Sequence, residues 1–202
     1  MRQVILTVGP RHAGKTTFCQ RARKDFPDLG YISRDEILDE LFGTTMPCSY
    51  FGGHRDALRM MWKRVRDMLH DTSDARMILD AWNGTSRERQ QMVQFLRRHL
   101  QVDEVIAWYF ITPLKRCIVN ELIRDPIVDA HDLEFVLEMR RMVVTEGCKF
   151  YHQQCQTLEQ DGFDRIYRID PLSDSPSLFL QRPWEQLVLP GVELLAPLDP
   201  HT

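Results

Sequence analysis

At 202 residues, with 43% hydrophobic and 27% charged residues, the chain has the make-up of one globular domain with a full-sized core. A net charge of −3 argues against a surface that is wholly a nucleic-acid clamp, while leaving room for a local basic cleft. Five widely spaced cysteines without a CxxC pair indicate neither a disulfide framework nor a zinc site and point to a reducing, cytosolic setting. The chain enters a strand at once, with no signal peptide, and no apolar run approaches membrane-spanning length.

In chain order, Val4-Ile5-Leu6-Thr7-Val8 reads as a buried strand, followed by Gly9-Pro10-Arg11-His12-Ala13-Gly14-Lys15-Thr16 and a helix from Thr16 onward. Gly30–Ser33 reads as a second strand. A helix begins near Asp35, carries Ile37, Leu38, Leu41 and Phe42 inward and stops at Gly43. Residues 44–54 read as a loop, and Leu58, Met61, Trp62, Val65, Met68 and Leu69 recur at helical spacing. Arg76–Asp80 is a third buried strand. Ser86 is expected to cap a helix that turns Met92, Phe95 and Leu96 inward. Val105–Ile111 gives the clearest strand signal, and Pro113 opens a helix ending near Asp125-Pro126. A long helix is expected from Asp132 to Gln160 with a break at Gly147, then a last strand at Arg165–Ile169. Residues 171–202, with six prolines, read as a tail or edge appendage to a domain spanning 1–170. Alternating strands and helices predict an α/β three-layer sandwich, with a central parallel sheet of about five strands and helices on both faces.

The Gly9–Thr16 stretch is a complete G-x-x-x-x-G-K-[ST] phosphate-binding loop in its required strand–loop–helix setting. Backbone N–H groups at Gly9, Arg11, His12, Ala13, Gly14, Lys15, Thr16 and Thr17 can cradle phosphate oxygens at a helix N-terminus, where the dipole favours negative charge. Lys15 is expected to reach the β- and γ-phosphates and Thr16 to take a place on Mg²⁺. Arg11 and His12 either add charge near the phosphates or project into water. Ligands in such sheets bind beyond the C-terminal strand ends. Asp80 lies there, as an acid that holds Mg²⁺ or as a polar strand cap. So does Asp35, as a base for an accepting hydroxyl or as an N-cap.

The segment from Val4–Gly9 through Gly14-Lys15-Thr16-Thr17 to Ile32-Ser33-Arg34-Asp35-Glu36 resembles the kinase half of phage polynucleotide 5′-kinase/3′-phosphatase and its P-loop kinase relatives. Ile78-Leu79-Asp80-Ala81-Trp82-Asn83 with Arg89 resembles the family's D-A-T-N…R segment. Thr112-Pro113 with Arg116, Asn120 and Arg124 resembles its lid helix. The resemblance implies that Asp35 is the general base and that Arg116 and Arg124 close over the triphosphate. It places Arg34, Asp35 and Asn83 toward the acceptor. Leu38 stands where the phage-type enzyme has a phosphate-gripping arginine, the lid spacing is one residue longer, and no phosphatase signature follows.

These readings predict a kinase that uses ATP or GTP with Mg²⁺ and transfers the γ-phosphoryl to a hydroxyl, foremost the 5′-OH of a DNA or RNA end. A small acceptor such as a sugar, nucleoside or antibiotic is the first alternative. A non-catalytic nucleotide switch is the second, and a base at Asp35 speaks against it.

Overall fold

The computed structural model describes residues 1–43, 53–71, 74–81, 83–124 and 133–180. The expected loop after Gly43, Trp82, the helix end at Asp125-Pro126, the start at Asp132 and the tail beyond Leu180 fall wholly or mainly outside these residues. Along the described chain run β1 (Gln3–Val8), α1 (Lys15–Asp25), β2 (Gly30–Ser33), α2 (Arg34–Phe42), α3 (Gly53–Asp71) and β3 (Arg76–Asp80). After them come α4 (Ser86–Leu100), β4 (Glu104–Phe110), α5 (Leu114–Arg124), α6 (Leu133–Gln154), a 3₁₀ segment (Cys155–Asp161), β5 (Arg165–Ile169) and α7 (Ser177–Leu180).

The five strands form one parallel sheet in the order β2-β3-β1-β4-β5, as the alternating pattern predicts. Every residue of β1 is buried, because helices cover both faces, and this is why its sequence runs apolar without alternation. Val4 and Leu6 join a core with Leu38 of α2, Met61 and Val65 of α3, and Met92 and Leu96 of α4. Ile5 joins the opposite core with Phe18 and Ala22 of α1, Cys117 of α5, Val144 of α6, and Trp108 and Phe110 of β4. Phe18 meets Trp108 and Phe110 edge-on, with ring centroids 5.4 and 5.5 Å apart. Leu6 pairs with Leu79, and Ser33 with Asp80. That register brings the ends of β1, β2 and β3 to one edge, with the phosphate loop, Ser33 and Asp80 beside one another.

Several local expectations are corrected. The cap of α4 is Thr85, not Ser86: Glu88 N donates to Thr85 Oγ1 at 3.2 Å, and the Glu88 carboxylate accepts from Thr85 N at 2.9 Å. The Ser86 hydroxyl instead donates to Asp161. The long helix runs through Gly147 and gives way to 3₁₀ geometry only after Gln154, whose carbonyl accepts from Arg89 Nη2 at 2.6 Å. Arg89, the arginine of the segment that resembles D-A-T-N…R, is fully buried. Its Nε donates to Asp161 at 2.5 Å and its Nη1 to the carbonyls of Asn83 and Gly84 at 3.2 and 2.9 Å. Residues 171–180 form a turn and α7, which buries Phe179 and Leu180 in the core shared with α1 and β4.

Candidate active site

A cleft of about 860 Å³ opens at this edge of the sheet, lined by the phosphate loop, the start of α2, the end of β3, one face of α5, and Pro171 with Leu172. The loop leaves β1 at Gly9, whose φ is +150°. A Cβ there would come within 3.0 Å of the Phe110 Cβ, so only glycine lets the loop turn this tightly over β4. At the other end Gly14, with φ +84°, caps α1 without any side chain. The first turn of α1 carries no acidic residue, so its N-terminal N–H groups face the cleft as an anion site.

Lys15 Nζ donates to the Gly9 and Pro10 carbonyls at 2.9 and 2.6 Å, which parks the ammonium across the loop mouth. Burial pulls its pKa below the usual lysine value, against the raising pull of Asp80 and Asp35. Beside it the Thr16 hydroxyl stands 3.4 Å from Asp80 Oδ2. Asp80 also accepts from Thr7 Oγ1 at 2.6 Å and from the Tyr31 hydroxyl at 3.3 Å, which fixes its orientation. The Tyr31 phenol is held neutral, its pKa pushed up by burial and by the Asp80 charge. A hydroxyl and a single carboxylate at the mouth of a phosphate loop form a hard-oxygen donor pair that suits Mg²⁺, which fills its shell with phosphate oxygens and water. Among the described residues no cluster of three or more acidic, histidine or cysteine side chains could hold a metal without the phosphates.

Opposite the loop, Asp35 lines the cleft and is more than half exposed. The N-cap of α2 is Ser33, whose Oγ accepts from Glu36 N at 3.3 Å. This removes the capping role for Asp35 and leaves its carboxylate open to the cleft. Arg34 Nη2 lies 3.3 Å from Asp35, while Arg34 itself does not line the cleft. Asn83 does not reach it either. Its side chain is buried and donates to the Thr7 carbonyl at 2.7 Å, tying the segment after β3 to β1.

From α5, Arg116, Asn120 and Arg124 all face the cleft, as spacings of four residues on a helix require. Arg11 and His12 both line the cleft; Arg11 is exposed, and the His12 ring meets Glu121, with Nε2 2.8 Å from Oε2. Asn120 Nδ2 donates to the His12 carbonyl at 2.8 Å and Thr112 Oγ1 to the Ala13 carbonyl at 2.7 Å.

Sequence reasoning missed Thr7, Tyr31, Pro171 and Leu172. Arg21 of α1 holds the last pair in place, its Nη2 donating to the carbonyls of Pro171 and Asp174 at 3.1 and 3.0 Å. The available signal was positional: Asp170-Pro171 follows a parallel strand, at the end of the sheet where ligands bind.

In comparisons with known proteins, a chain of the solved Pnkp1/Rnl/Hen1 RNA repair complex superposes with a TM-score of 0.54 at 18% identity, over 72% of this chain and 45% of that one. A fungal RNA kinase gives 0.48 at 18% identity (88% and 79% covered), and shikimate kinase from Acinetobacter baumannii 0.41 at 17% (76% and 79%). The chain thus spans less than half the length of the RNA repair chain, and the similarity is one of fold. None of the curated proteins matches the chain in sequence. No helix among the described residues is long and apolar enough to cross a membrane. A family model described as an AAA domain, AAA_33, matches residues 4–124, more than half of the sequence, and the chain belongs to this family of P-loop kinase domains.

Proposed function

We propose that the protein is an Mg²⁺-dependent kinase that transfers the γ-phosphoryl of ATP to a hydroxyl group. One observation carries this reading. Asp35 and the pair Arg116/Arg124 line a single cleft with Lys15, Thr16 and Asp80. Phosphoryl transfer needs positioning and charge neutralisation more than covalent chemistry. In this reading the loop amides and Lys15 hold the triphosphate, and Arg116 and Arg124 offset charge on the transferring group. Asp35 orients the accepting hydroxyl and takes its proton. Thr16 and Asp80 would hold Mg²⁺, which would supply positive charge against the charge that develops during transfer.

The acceptor that the sequence resemblance and the RNA repair fold favour is the 5′-OH of a polynucleotide. A second reading, a small acceptor without phosphates, rests on the wall formed by α2. Leu38 is fully buried in the core, and the α2 side chains that line the cleft are the carboxylates Asp35, Glu36 and Asp39. The test is transfer of labelled γ-phosphate to a panel of 5′-OH oligonucleotides, nucleosides and sugars. Labelled oligonucleotide ends are expected. Label only on a small acceptor would establish the second reading, and label on nothing, with ATP bound, would overturn both.

A further inference from the structure

Among the described residues three hydrogen bonds join the phosphate loop to α5 and the residues just before it, two of them to loop carbonyls: Thr112 to Ala13 and Asn120 to His12. The third joins side chains. His12 occupies the left-handed region, φ +62°, and its ring meets Glu121. Glu121 Oε1 in turn lies 4.0 Å from Arg140 Nη1 of α6. A carboxylate only accepts, so Nε2 carries a proton; burial lowers the ring's pKa against the opposing pull of Glu121 and favours the neutral form, in which Nδ1 is bare. That Nδ1 is buried and has no partner among the described residues, which a lone acceptor tolerates better than a donor would.

Glu121 directly follows Asn120 and lies about 100° around α5 from it. Holding Glu121 therefore sets how α5 is rolled about its axis, and the roll decides whether Arg116 and Arg124 point into the cleft. We propose that His12 and Glu121 are positioning residues, a strut between the phosphate loop and α5 that holds the two cleft arginines over the phosphates. The proposal rests on the kinase reading for its catalytic consequence but not for its structural one.

The test compares Glu121→Ala, Glu121→Gln, His12→Asn and the double variant Glu121→Ala/His12→Asn. Asn tolerates the left-handed backbone but is too short to reach Glu121. Gln keeps an oxygen that accepts from Nε2. Mg-ATP affinity is read by titration calorimetry, turnover by phosphate transfer, and folding by thermal melting. Since a misplacement of about 1 Å can cost around 10²-fold in rate, Glu121→Ala and His12→Asn are each expected to lower kcat by about 10- to 100-fold. Mg-ATP binding should weaken about 5-fold in both, with melting within a few degrees of the parent, and the double variant should be no worse than either single one. Glu121→Gln should stay within about 3-fold of the parent. Parental affinity and turnover in Glu121→Ala, additive losses in the double variant, or a Gln variant as damaged as Ala would each overturn the strut. Calorimetry needs no acceptor. If the parent binds Mg-ATP but phosphorylates nothing, the kinase reading falls and the strut is judged on affinity alone.

Discussion

Ser33 and Asp35 stand two residues apart at the start of α2 and have separate tasks, one capping the helix and the other facing the cleft. Asp35→Asn therefore removes no cap and forfeits only attraction to the helix dipole, about 0.3–1 kcal/mol, and the charge of its exposed pair with Arg34, at most about 1 kcal/mol. Loss of a proton acceptor in the transition state costs far more, about 10²–10⁴ in rate. The expected outcome is normal melting, retained Mg-ATP binding and collapsed transfer. Normal turnover in a folded Asp35→Asn protein would remove Asp35 as the proton acceptor. Lys15→Ala is expected to abolish transfer and weaken Mg-ATP binding, and Asp80→Ala to shift the Mg²⁺ titration to higher concentration. An unchanged titration curve would reduce Asp80 to the partner of Thr7 and Tyr31. Lys15, Thr16, Asp35 and Asp80 were legible because each is fixed by a local pattern, a motif or a strand end. Tyr31 was not, since a half-buried tyrosine in a strand gives no sign that its hydroxyl reaches the end of the neighbouring strand.

Helix ends show the same division between local and distant causes. Gly43, the expected stop of α2, is its C-cap at φ +66°, a signal written in one residue. The end of α6 is set instead by Arg89, which takes the Gln154 carbonyl, and by Asp161, which neutralises that arginine. Both contacts join residues far apart in sequence, so a nearby glycine drew the expected break and Gly147 proved an ordinary helical position. Asn83 was misplaced for a related reason: its role as a tie to the Thr7 carbonyl depends on β3 lying beside β1. The Arg89–Asp161 pair is fully buried on both sides. Breaking it from one side strands a charge in the core. Asp161→Ala is therefore expected to destabilise the fold by about 3–5 kcal/mol, read by denaturant unfolding. A loss under 1 kcal/mol would mean that water reaches the guanidinium.

For the molecule as a whole, the fold class was legible because strand–helix alternation in a chain of apolar strands admits few arrangements. The place of residues 171–180 was not, because proline-rich sequence hides that α7 buries Phe179 against the ring of Phe18. Ligand binding should register globally. A nucleotide at about 100 times its Kd adds about 2.7 kcal/mol, and about 2–4 °C per kcal/mol is usual at this size, so Mg-ATP is expected to raise the melting temperature by about 5–10 °C. Chelating Mg²⁺ with EDTA should remove most of that shift. An equal shift without the metal would detach Thr16 and Asp80 from nucleotide binding. The sheet order also has a consequence for how the protein comes into being. β1 precedes the other strands in the chain yet lies at the centre of the sheet, its Gln3 between Arg76 and Glu104. During synthesis its apolar run must wait for β3 and then β4, a long-range closure that is slow and leaves sticky surface uncovered. Nascent chains stopped before Glu104 should accordingly be clients of chaperones, with the phosphate loop unable to take shape until Phe110 arrives beneath Gly9.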